Sequence, residues 1–96
     1  MKKFLMLHYG FETPTPEVQK AWMNWFAAIG DNFIDSGNPL GNGMIVTKTE
    51  TKALSAEMGP ATGYSILRAE NMEEALNLLK DCPIIDSVRL YEAKSM

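Results

Sequence analysis

The chain is short of the residues that most often announce chemistry. It has one cysteine, Cys82, and one histidine, His8. A single cysteine forms no internal disulfide, so a reduced, cytoplasmic setting is the expectation. One imidazole and one thiol, with no clustered carboxylates at ligand spacing, fall short of a metal set, and no metal or cofactor is expected. Basic residues are few as well: 9 Lys and Arg stand against 12 Asp and Glu, a formal charge of −3. Phosphates and anionic lipids are recognised by clustered Lys and Arg, so neither nucleic acid nor a membrane is an expected partner. Long apolar runs are missing. FLML, after Lys2 and Lys3, is too short for a signal-peptide core, and nothing approaches the ~18 apolar residues of a membrane span. No Gly-rich phosphate loop is present, because GNPLGNG leads into a strand pattern and not a helix. Internal repeats and low-complexity tracts are absent.

What remains is a chain of 96 residues, 46% apolar, which describes one globular domain over 1–96. KKFLMLHYG opens it as a strand that does not alternate apolar with polar. Phe4, Met6 and His8 point one way and Leu5, Leu7 and Tyr9 the other, so both faces ask for cover. Helices supply one cover; a partner subunit is the economical source of the second.

A long helix follows. Thr15 is a good N-cap, Pro16 suits the first helical position, and Glu17 suits the dipole. Val18, Trp22, Trp25, Phe26, Ile29 and Phe33 recur at spacings of three and four, and the helix is expected to end at Ser36 and Gly37. Gly30 inside it suggests close approach of another backbone. NPLGNG is a rigid loop, and MIVTKT reads as the second strand of the sheet. TKALSAEMGPA joins it to the third strand, GYSILRAE, as a loop with a short turn of helix around Ala53–Met58. Asn71 with Glu74 makes a capping-box-like start to a second helix. Met72, Ala75, Leu76 and Leu79 share its apolar face, and Pro83 closes it. DSVRLYE is the fourth strand and AKSM a frayed tail.

The element order is β-α-β-β-α-β. The stretch from Thr62 to Glu92 forms its crossover unit, strand, helix and strand in quick succession. This order specifies an α+β, ferredoxin-like fold, an antiparallel four-stranded sheet with both helices on one face. The other face then includes apolar residues of the first strand, a liability in a monomer. A homodimer stacked through these faces is the expected assembly.

The segments KKFLMLHYG, TPEVQKAWMNWFAAIGDNFIDSGNPLG, GPATGYSILRAENMEEALNLLKDCP and VRLYE, in this order and spacing, resemble the YCII-related family within the dimeric α+β barrel group. The resemblance spans nearly the whole chain and is most specific at GNPLG and in the GYSI…EEAL…CP run. It implies a homodimer whose sheets form a shared barrel, with a pocket between sheet and helices. Some relatives carry a His on the first helix and an Asp at the end of the second as a proposed acid–base pair. Relatives of known activity act on small ring compounds by elimination or isomerisation. The Asp position matches Asp81, in KDCP. The His position is not matched, because the first helix reads AWMNWFAAIG.

The candidate catalytic residues are therefore His8 and Asp81. An imidazole with an ordinary pKa near 6.5 suits a general base, and His8 facing Asp81 across a pocket would replace the missing helix histidine. The competing reading makes His8 a satisfied core residue and Asp81 a turn residue bonded to local backbone. Cys82 reads as a small buried hydrophobe. Trp22 and Trp25 are candidate ligand contacts that also fit a core stripe; Asn38 and Tyr64 have polar groups placed to reach a ligand. Arg68 and Arg89 should face solvent at the sheet edge or pair with a carboxylate such as Glu70 or Glu92. Two functions follow: a small-molecule-binding lyase or isomerase working by proton transfer, or a non-catalytic binding or accessory module. RNA binding on the open sheet face lacks the required aromatic and basic signature.

Overall fold

The computed structural model describes residues 1–95 and shows an α+β chain. Its elements are β1 (Lys2–Tyr9), α1 (Pro16–Ile29), β2 (Phe33–Asp35), β3 (Met44–Val46), β4 (Thr51–Ala53), β5 (Ala61–Ala69), α2 (Met72–Leu78) and β6 (Ser87–Ala93). Four strands form one antiparallel sheet in the order β2-β5-β1-β6, while β3 and β4 pair only with each other. Of the expected tail, Ala93 belongs to β6 and Lys94 and Ser95 have no regular structure; Met96 lies outside the described residues.

The sheet register separates two faces. Met6 lies opposite Ser65 and Leu90, and His8 opposite Gly63 and Val88, so these residues share one side. On that side Phe4, Met6, Leu67 and Ala69 are fully buried against Trp25 and Ile29 of α1 and Ala75 of α2. Both helices thus cover the same face. Leu5 lies opposite Ile66 and Tyr91, and Leu7 opposite Tyr64 and Arg89, on the other side. There Leu5, Leu7 and Ile66 are half-buried, and Ile34 and Tyr91 are 48% exposed. Arg89 on this face lies with its guanidinium 5.0 Å from the centre of the Tyr9 ring, and Glu92 pairs with Lys2 at 3.6 Å.

The first helix starts as the sequence indicates: Thr15 Oγ1 accepts from the Val18 amide. It ends seven residues earlier than Ser36. Gly30 caps it with φ +51, a 3-10 turn runs through Asn32, and Phe33 is already extended. A Cβ on Gly30 would meet nothing within 4 Å, so conformation and not close packing explains this glycine. Asn32 Nδ2 then donates to the Arg68 carbonyl at 3.0 Å, fixing the entry to β2. Phe33 still packs on the helical aromatics, its ring 5.3 Å from that of Trp25 and 5.5 Å from that of Phe26. That contact reproduces a helical spacing in the sequence although Phe33 sits in a strand.

The second strand of the sheet is accordingly Phe33–Asp35, and MIVTKT contributes to a separate hairpin instead. Three-residue strands are too short to show a period of two, and Phe33 falls four residues after Ile29. The short helical turn before β5 spans Ala56–Met58. In α2 the Asn71 Oδ1 accepts from the Glu74 amide at 2.8 Å. Its inner face is Ala75, Leu78 and Leu79, while Leu76 is 55% exposed. The inward stripe follows i, i+3 and i+4 from Ala75.

Candidate functional site

A cleft of about 380 Å³ opens on the helical side at the end of the sheet where β1 leaves and β5 and β6 begin. This volume falls in the range of small-molecule sites. The floor is His8 with Gly63 and Ser65, one wall is Trp22 and Phe26 of α1, and the facing wall is residues 36–39. No Asp, Glu, Lys or Arg among the described residues lines the cleft. Among the described residues no group of three or more metal-ligating side chains occurs.

Glycine brings the facing wall close. Gly37 has φ +89, and a Cβ there would lie 1.6 Å from the Tyr64 carbonyl oxygen. Only hydrogen fits, and the segment therefore lies against β5 in the lane that β2 occupies further along. The Tyr64 amide donates to Asn38 O at 3.3 Å and the Leu40 amide to Thr62 O at 2.9 Å. Asp35 organises the turn: Oδ1 accepts from the Gly37 amide at 2.9 Å and Oδ2 from the Tyr64 hydroxyl at 3.0 Å. Asn38 Nδ2 donates to the same hydroxyl at 3.4 Å. At the exit of β1, Thr62 Oγ1 lies 3.2 Å from His8 O and donates at 2.8 Å to Gly10 O, beside the register shift after His8.

His8 is half-buried, and burial lowers its pKa below the usual imidazole value by disfavouring the charged form. Its ring meets Trp22 edge-on at 5.3 Å between centroids. Ser65, 1% exposed, donates its hydroxyl proton to Ser36 O at 2.9 Å. That hydroxyl has no second proton to give, so its 3.5 Å contact with His8 Nε2 makes the imidazole the donor. The hydrogen-bond partners thus assign the neutral proton to Nε2 and leave Nδ1 as the basic nitrogen. With burial disfavouring the charged form, the imidazole is held neutral.

His8, Trp22, Asn38 and Tyr64 all line one cleft, although the register turns the Tyr64 side chain to the opposite sheet face, where its hydroxyl meets Asp35 and Asn38. Asp81 is not among the lining residues; it is exposed in the turn after α2, and the cleft does not join it to His8. Trp25 is likewise absent from the lining. It is 2% exposed in the core, and its Nε1 donates to the Leu78 carbonyl at 2.8 Å, tying α1 to α2. Cys82 is buried, which pushes its thiol up to about 12 and leaves it unreactive. Sequence reasoning passed over Ser65, Gly37 and Phe26 as site residues. Ser65 had a signal: a hydroxyl at a position that alternation places on the apolar side, where an unpaired polar group is costly.

Comparison with known protein families, with curated proteins and with solved structures finds no match for this chain.

Proposed function

We propose that the cleft beneath Trp22 binds a small uncharged molecule with an aromatic or otherwise apolar ring, and that His8 exchanges a proton with it. The observation that carries this reading is the half-buried imidazole on the cleft floor, stacked edge-on against Trp22, with Ser65 holding its Nε2 proton. A lining without formal charges favours a neutral ligand, because a buried ion here would lack a counter-charge. The chemistry fits an elimination or isomerisation in which Nδ1 removes a proton from a ring carbon; the electron pair left behind then either expels a leaving group from the adjacent carbon or takes the proton back at another carbon.

The strand order β6-β1-β5-β2 under two helices supports a ferredoxin-like, YCII-related subunit. The open face carrying Leu5, Leu7, Ile66, Ile34 and Tyr91 supports a homodimer stacked sheet on sheet. The lone buried Cys82 accords with a cytoplasmic protein.

A second reading, binding without chemistry, draws on the exposed position of Asp81 outside the cleft and the absence of any lining carboxylate. Nuclear magnetic resonance with uncharged aromatic fragments tests both. The Trp22 indole N–H should shift and the core Trp25 indole N–H should not. Absence of a Trp22 shift across such a library would sink the binding reading. Turnover of a bound ring compound that disappears in His8→Gln supports proton transfer; binding unchanged in that variant, without turnover in either protein, selects the second reading.

A further inference from the structure

The molecule carries more surface than a protein of its mass needs. A monomer of 10.7 kDa exposes roughly 5,500 Å², whereas this chain exposes 7028 Å². The excess, about 1,500 Å², exceeds the ~800 Å² that one partner contributes to a standard interface. The radius of gyration agrees: 14.7 Å, against about 12.5 Å for a compact chain of this length.

The β3–β4 hairpin is part of this exposed surface. Its strands pair with each other and with no strand of the main sheet. Met44 lies opposite Ala53 and Val46 opposite Thr51, so these four side chains share one face. That face is bare: Met44 is 55% and Val46 72% exposed. The tip is nevertheless well built. The Thr47 amide donates to Glu50 O at 2.8 Å, and the Glu50 amide donates back to Thr47 Oγ1 at 3.0 Å. At the root, Gly43 O accepts from the Leu54 amide at 2.9 Å. A two-stranded hairpin of three residues a side is marginal in water and needs a surface to lie on.

We propose that this hairpin is an arm exchanged between two copies of the chain, the Met44 and Val46 face of each lying on the other copy. The proposal rests on the homodimer inferred above and adds to it a second contact, separate from the open sheet face. A second copy is the occupant because the excess area is more than enough for one partner's share of a stable dimer interface. The arm also springs from the Pro39–Leu40 segment, and Pro39 lines the cleft. An exchanged arm would therefore tie dimer formation to the wall that faces His8.

The test combines sedimentation equilibrium with amide hydrogen exchange at two protein concentrations, above and below the dimer midpoint. M44K/V46K changes two side chains that the single chain leaves exposed, so circular dichroism should show an intact fold. The arm predicts that M44K/V46K weakens the dimer tenfold or more, and that amides of residues 44–53 in the unsubstituted protein are protected only at the higher concentration. A dimer unaffected by M44K/V46K, or arm amides exchanging alike at both concentrations, overturns the arm while leaving the sheet-on-sheet dimer standing. Protection at both concentrations would mean that the arm lies on its own chain, and also overturns exchange. A protein that stays monomeric throughout removes the homodimer itself, and the arm with it.

Discussion

Replacing Gly37 with alanine should unfold more of this protein than any other single methyl added around the cleft. Two effects combine. At φ +89 an L-residue is strained by about 1–2 kcal/mol. The added Cβ would also sit 1.6 Å from the Tyr64 carbonyl oxygen, which is backbone in a paired strand and cannot swing aside. Segment 36–39 must therefore lift from β5. Lifting it breaks the bonds from Tyr64 N to Asn38 O and from Ser65 Oγ to Ser36 O, each worth about 0.5–1.5 kcal/mol net. Together the loss is about 2–5 kcal/mol, a large share of the ~5–15 kcal/mol available to a domain. Urea denaturation followed by circular dichroism measures it, with a drop in Tm of roughly 8–40 °C as the thermal counterpart. Gly63→Ala is the matched control. Its Cβ would meet His8 Cδ2 at 3.5 Å and Asn38 O at 3.7 Å, ordinary contacts, and Gly63 lies in a strand without positive φ. The control should stay within about 1 kcal/mol of the unsubstituted protein. A Gly37→Ala protein as stable as Gly63→Ala would refute the close approach of the loop to β5.

Other consequences are as direct. Because burial holds the folded His8 pKa below that of the unfolded chain, the unfolded state binds the proton first. Stability should be full above about pH 6.5 and decline as pH falls below it; His8→Leu should lose part of that decline, and stabilities from urea titrations at pH 7.5 and 5.0 that differ no more in the unsubstituted protein than in His8→Leu would count against a buried neutral imidazole. Trp25→Phe removes the bond to the Leu78 carbonyl and leaves space in the core, a cost of about 2–4 kcal/mol. A loss under 1 kcal/mol would show that the indole does not join α1 to α2. Cys82, with its thiol pushed up to about 12, should react with an aromatic disulfide at pH 8 roughly 1,000-fold more slowly than in urea. Comparable rates would place the thiol at the surface.

Much of this architecture is legible in the residues themselves. Phe4 and Met6 alternate with Leu5 and Leu7, which puts apolar side chains on both faces of β1, and Thr15 and Asn71 mark their helices with cap bonds the structure contains. What escapes the sequence is short or context-made. Phe33 is the clearest case: its spacing from Ile29 suits a helix, yet Gly30 has already turned the chain, and its ring reaches Trp25 from a three-residue strand. Met44 and Val46 carry strand propensity but not the information that their partner is Thr51–Ala53 and not the main sheet. The site was half visible. His8 stands out by being single, whereas the partners that set its tautomer, Ser65 and the Ser36 carbonyl, come together only because Gly37 lets two backbones touch.

The direct test of the His8 cleft is the nitrogen-15 spectrum of that one histidine, titrated with pH in the presence and absence of a fragment that shifts the Trp22 indole. The account predicts an apparent pKa below 6.5 and a neutral form protonated at Nε2, with the Nδ1 resonance moving when the fragment binds. A pKa at or above 6.5, a proton on Nδ1, or an imidazole indifferent to the fragment would contradict it.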